Sequence, residues 1–152
     1  MFESEKVEIV IRDRERAFAV IMTSLTVGDI AQQLVDLCRQ GKSMQVVNDF
    51  YADDIVSIES SSANQCMPAE QRGIEAIRAK HEWWEANVEV HSMEINGPFV
   101  GPENQFVVQF TLDSTNKLTG QRSVMTEMAL YTVENSKIVR EQFIYNTSDC
   151  GA

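Results

Sequence analysis

Positive charge is scarce in this chain. Across 152 residues, 13 Lys and Arg stand against 23 Asp and Glu, a formal net charge of −10. Nucleic-acid binding relies on Lys and Arg to neutralise phosphates, so polyanion partners are excluded. Long apolar runs are also missing: none approaches the roughly 20 residues that cross a bilayer. The apolar run at residues 17–22 is short and the first residues are acidic rather than basic, so neither a membrane span nor a signal peptide is read. Cysteine is sparse. Cys38, Cys66 and Cys150 lack zinc-like spacing and cannot all pair, which points to a reducing compartment, the cytoplasm. No metal site and no cofactor are read.

What is present is an ordinary globular composition, 43% hydrophobic and 24% charged, in a length that suits one domain with one core. Residues 1–25 fit two short strands and a helix about equally well and are read as an extension. From Thr26 the signals sharpen. Thr26 or Asp29 caps a helix whose stripe is Ile30, Leu34, Leu37 and Cys38, with Gly41 ending it. Ser43 caps a second helix that turns Val46, Val47 and Phe50 inward and stops near Ala52. The turn Asp53-Asp54 then leads to a short strand, Ile55–Glu59, which is apolar until it closes on a carboxylate.

The polar run from Ser60 to Gln71 is either a lid over that acid or a plain connection. Gly73 opens a third helix with Ile74, Ile77, His81, Trp84 and Val88 on its inner face. The period then changes to two. Strands are expected near Val88–Ile95, Gln105–Asp113, Gln121–Val133 and Lys137–Asn146, separated by Gly97-Pro98, Gly101-Pro102, Asn116–Gly120 and Asn135-Ser136. Helices followed by a strand meander make an α+β fold, with the helices on one face of the sheet.

Pairing Glu134 with Lys137 sets a provisional register for the last hairpin. Thr126 then faces Tyr145, Met128 faces Phe143 and Leu130 faces Glu141, beside Phe106, Val108, Phe110 and Leu112 of the preceding strand. That apolar face should meet the helices. The opposite face, with Val107, Met125, Ala129, Tyr131 and Ile144 among polar neighbours, suits a second subunit. Thr126, Glu141 and Tyr145 are the polar groups on the apolar side. A carboxylate buried without a partner costs several kcal/mol or holds a proton, so Glu141 needs a partner, a proton or an opening to water.

The phrase Phe50-Tyr51-Ala52-Asp53-Asp54, the turn Arg72-Gly73-Ile74-Glu75-Ala76-Ile77 and the strand Lys137-Ile138-Val139-Arg140-Glu141-Gln142-Phe143 occur in an order that resembles the SnoaL-like branch of the nuclear-transport-factor-2-like superfamily. The resemblance covers residues 26–147 and leaves 148–152 as a tail. It implies a cone-shaped, strongly curved mixed sheet wrapped over three helices, an internal cavity and frequent dimerisation through the outer sheet face. Ketosteroid isomerase belongs to the same superfamily, and its catalytic carboxylate matches Glu59. Its two oxyanion donors fall at Leu34 and Met128, which argues against steroid isomerisation here.

Glu59 is therefore the candidate general base or acid, with a strand-end glutamate bonded to loop amides as the bland alternative. Glu141 is a second candidate. Otherwise it is an internally paired acid bonded to Tyr145 or His81. His81 is either a proton relay or a satisfied core histidine. Trp84, Phe106, Phe110, Thr126, Met128, Phe143 and Tyr145 are expected to line the cavity around a small apolar or cyclic molecule. Two function classes stay open. One is a cofactor-free cyclase, isomerase or dehydratase; the other is a non-catalytic dimeric binding or assembly domain.

Overall fold

The computed structural model describes residues 25–60 and 69–146. The expectations for the N-terminal extension, for Cys66 and a lid, and for the C-terminal tail lie outside these residues. The described chain forms three helices and six strands: α1 (Val27–Arg39), α2 (Ser43–Phe50), β1 (Tyr51–Ile58), β2 (Glu70–Arg72), α3 (Ile74–Asn87), β3 (Val88–Val100), β4 (Gln105–Asn116), β5 (Arg122–Glu134) and β6 (Lys137–Tyr145). The strands form one curved, open sheet in the order β2-β1-β6-β5-β4-β3. It is mixed because β1 runs parallel to β6 while every other pair is antiparallel. Among the described residues no helix is long and apolar enough to cross a membrane.

Local chemistry sets the helix ends. Thr26 and Asp29 form a reciprocal capping box at the start of α1. Ser43 is not a cap: Lys42 holds that place without a side-chain bond, and Ser43 is the first helical residue. Gly73, at φ 90°, precedes α3 in a conformation that other residues rarely adopt. The inward stripes of α1 and α2 are buried at Ile30, Ala31, Leu34, Val35, Val46, Val47 and Phe50. On α3 only Ile77 is fully buried. Helix α1 lies against β3 and β4, while α3 lies against β1 and β2, so the sheet embraces the helices from both ends.

Four strand expectations change. The expected turn at Asp53-Asp54 is absent: β1 starts at Tyr51, directly after α2, and a pairing irregularity against β6 falls between Tyr51 and Val56. Residues 70–72, read as loop, form β2 against β1. Strand β3 continues past Gly97-Pro98, absorbing those residues in a second irregularity.

The largest change concerns β5. Asn135 and Ser136 both take positive φ, 49° and 59°, the geometry of a tight two-residue hairpin turn, and Glu134 does pair with Lys137. Val139 is then an extra residue on β6. Beyond this bulge Tyr131 faces Glu141, Ala129 faces Phe143 and Glu127 faces Tyr145. A one-residue slip turns every side chain to the other face. Met125, Glu127, Ala129 and Tyr131 therefore join Leu112, Phe110, Val108 and Phe106 on the inner face. Thr126, Met128 and Leu130 point outward, so Thr126 and Met128 are not cavity residues. Conversely, Met125, Ala129 and Tyr131 leave the proposed subunit face, where Val107 and Ile144 remain.

Candidate active site

The inner face carries a polar cluster with a half-open end and a sealed one. At the half-open end, the backbone N–H of Glu59 donates to the Ala69 carbonyl at 2.8 Å and extends the β1–β2 ladder by one residue. Ser60 ties this end of β1 to β6: its hydroxyl donates to the Phe143 carbonyl at 2.8 Å and accepts from the Tyr145 N–H at 3.0 Å. Glu59 is thereby placed beside Tyr145, whose hydroxyl donates to Glu59 Oε2 at 3.1 Å. The other oxygen, Oε1, is ion-paired with Lys80 of α3, and the two side chains are 24% and 21% exposed. Two side chains, Tyr145 and Lys80, hold the carboxylate.

The sealed end is Glu141, only 1% exposed. It sits mid-sheet, in register with Ser57 on β1 and Tyr131 on β5. Tyr51 donates to its Oε2 and Ser57 to its Oε1, the latter at 2.7 Å. The partners expected for it were Tyr145 or His81; Tyr51 and Ser57 fill that role instead. Burial, reinforced by the Glu141 charge, pushes the Tyr51 and Tyr131 phenols well above their ordinary range, so both stay protonated.

Lys80 joins the two ends. Its Nζ donates to Ser57 Oγ at 3.1 Å, stands 3.9 Å from Glu141 Oε1 and lies 4.6 Å from the Phe143 ring centroid, a cation–π distance. The third carboxyl of the inner face is Glu127. Burial first, then the Glu59 charge, pushes its pKa up from 4.5 to about 7; Lys80 opposes the shift and Glu141 adds to it. This carboxyl therefore keeps its proton to higher pH than an exposed glutamate does. Burial lowers the pKa of half-buried His81 despite the nearby Glu141, so its imidazole is neutral at pH 7.

The apolar candidates divide by depth. Phe106 is fully buried and stacked on Tyr131 at 4.8 Å, and Phe110 is 7% exposed, which makes them core. Phe143 is partly buried against the core and Trp84 is 36% exposed. Among the described residues no group of three or more His, Cys, Asp or Glu side chains is arranged to hold a metal ion.

Sequence reasoning missed Lys80, Glu127, Tyr51 and Ser57. Lys80 had a signal, because it lies three residues after Ile77 and four before Trp84 and so shares their side of α3. Glu127 had none, since Met125, Ala129 and Tyr131 on one side of its strand are hardly more apolar than Val124, Met128 and Leu130 on the other.

The comparisons agree with this architecture. A SnoaL-like domain model matches residues 25–145. A crystal structure of a protein from Mesorhizobium loti described as a SnoaL-like polyketide cyclase is 40% identical, with a TM-score of 0.75, over 80% of this chain and all of that one. A nuclear-transport-factor-2-like protein of unknown function from Burkholderia pseudomallei (13% identity, TM-score 0.66) covers 82% of this chain and 93% of its own. A protein from Pseudomonas putida described as a polyketide cyclase (15%, 0.63) covers 84% and 96%. The last two show likeness of fold alone, and no curated protein matches the chain. With the family model spanning every described helix and strand, the chain belongs to the SnoaL-like family.

Proposed function

We propose that this SnoaL-like protein binds a small, mainly apolar molecule at the inner-face rim and moves a proton on it by carboxylate chemistry without a cofactor. Glu59 is the base. Glu127 is the hydrogen-bond donor that the family resemblance left vacant on the penultimate strand, because the bulge brings an acid inward where Met128 was counted. The observation that carries the reading is a carboxyl pair brought together at Tyr145, which donates to Glu59 and lies in register with Glu127, on a face whose other residues are mainly apolar, among them Phe106, Val108, Phe110, Leu112 and Ala129. Cyclisation, isomerisation and dehydration all begin with such a proton transfer. A positioned base of this kind contributes about 10²- to 10⁴-fold.

Hydrogen–deuterium exchange at the α-carbons of 2-tetralone, followed by NMR in D₂O, tests this with a simple enolisable ketone in place of the natural substrate. The wild-type chain should accelerate exchange, and Glu59→Gln should abolish most of the acceleration. Equal exchange in both proteins sinks the mechanism.

One observation favours a second, non-catalytic reading. Both Glu59 and Glu141 are engaged internally, through Lys80, Tyr51, Ser57 and Tyr145. A binding domain with the same fold would show no exchange while still retaining a ligand, which native mass spectrometry would detect.

Dimerisation through the outer sheet face belongs to the same proposal, with its residues revised. Val107 and Ile144 stay, and Val124, Met128 and Leu130 replace the three residues that turned inward; Val124, Met128 and Ile144 are 62%, 41% and 52% exposed. The cytoplasm remains the proposed compartment, on the odd number of cysteines.

A further inference from the structure

We propose that Lys80 is the oxyanion-stabilising residue of this site: its ammonium leaves Glu59 and takes up the enolate or phenolate oxygen of an enolisable carbonyl or phenolic ligand. The inference rests on the acid–base reading above and names both the ligand chemistry and the residue that recognises it.

Three features of the cluster lead to it. First, Lys80 is the cation that both Glu59 and Glu141 meet, and it lies at the half-open end, 21% exposed, within reach of a ligand that Glu141 cannot touch. Second, an ammonium has three donors. Two go to Glu59 and Ser57, and among the described residues the third has only Glu141 at 3.9 Å and the Phe143 ring to answer it. Third, the surroundings are already rich in acid. Glu59 stands at the end of β1, Glu127 on β5 and Glu141 on β6, with Tyr145 on β6 and His81 of α3 close by. A ligand that arrives as an anion would add a charge to this group. A ligand that arrives neutral and ionises in place would not.

The step balances. Glu59 takes the proton from the carbon next to the carbonyl, and the electron pair of the broken C–H bond becomes the new C=C bond. The carbonyl π pair moves onto oxygen. Glu59 ends neutral, the oxygen ends negative, and Lys80 exchanges one partner for the other with the number of charges unchanged. For a phenol the proton leaves oxygen directly, and the same exchange follows. Leu34 is buried and offers no donor, and Glu127, the donor proposed on the penultimate strand, carries no positive charge, so the cation of the site is Lys80.

The test uses the full chain with 4-nitrophenol, whose phenolate absorbs in the visible, and 4-nitrotoluene, which has the same shape without an acidic group. In the wild type, bound 4-nitrophenol should ionise at lower pH than the free compound. Lys80→Met should weaken phenolate binding by roughly 10- to 100-fold, the loss expected for a hydrogen bond to a charged group. It should leave 4-nitrotoluene binding within a few-fold, which also shows that the variant is folded. Lys80→Arg should restore most of the phenolate preference. Binding of both compounds with no change in Lys80→Met overturns the role of Lys80 alone. Failure of the wild type to bind either compound overturns the ligand-site reading and this inference with it.

Discussion

Glu59 and Glu141 meet the same lysine in opposite surroundings. Glu141 is sealed at 1% exposure between Tyr51, Ser57 and Tyr131, whereas Glu59 is 24% exposed at the end of its strand. In the sealed position each lone pair must be answered by the protein, because water cannot answer it. At the rim a carboxylate can change partners, since water or a ligand replaces what it gives up. The same side chain serves as a structural post in one place and as a reactive group in the other, and exposure rather than residue type decides which.

Removing each acid separates these roles most strongly. Glu141→Ala leaves the Tyr51 and Ser57 hydroxyls without their acceptor and takes away one of the two carboxylates ion-paired with Lys80. Breaking a buried charged pair by deleting one partner costs about 3–5 kcal/mol. Glu59→Ala, at a site open to water, should cost about 1 kcal/mol or less. Urea denaturation of the two variants checks the difference. Equal losses would mean that the rim is as sealed as the centre.

Glu127 sharpens the comparison with a case between the two. Its carboxyl ionises at about 7 in the folded chain against an ordinary 4.5. Between those values the folded state keeps a proton that the unfolded state releases, so stability falls as pH rises from 4.5 and the whole cost is present above 7. Glu127→Gln removes this cost. Relative to wild type, the variant should gain up to about 3 kcal/mol at pH 8 and little at pH 4. His81 pulls the other way, because its lowered pKa makes acid destabilising, but it is common to both proteins and cancels in the difference. A pH-independent difference would show that Glu127 titrates normally. A gain in stability coupled to slower 2-tetralone exchange would mark the residue as kept for function at the expense of the fold.

Much of the fold was legible because its signals are local. The Thr26 cap, the stripes of α1 and α2, the Gly73 start of α3 and the Asn135-Ser136 turn need only neighbouring residues. The inner faces of β4 and β6 were legible from alternation. β5 was not, because one extra residue at Val139 reverses its facing and leaves no trace in composition. The site was half legible for the same reason. Glu59, Glu141 and Tyr145 followed from strand position, whereas Glu127 needed the true register and Tyr51 needed a strand where a turn was expected. Lys80 was hidden by chemistry rather than geometry. A lysine on a helix is ordinarily a solvated face, and only the two acids reaching it from β1 and β6 turn it inward.

The smallest effect comes from the two tyrosines, and it probes the same contrast. Tyr145→Phe removes one donor, at 3.1 Å, from a carboxylate that water can reach. It should cost about 1 kcal/mol or less. Tyr51→Phe removes a donor from Glu141, which nothing can replace, and should cost more, about 1–3 kcal/mol. Exchange at 2-tetralone should stay within a few-fold of wild type in Tyr145→Phe, since Lys80 still holds Glu59 in place. A Tyr145→Phe loss as large as that of Tyr51→Phe would show that Glu59 depends on its hydroxyl partner as a buried acid does, and the distinction between rim and centre would fall with it.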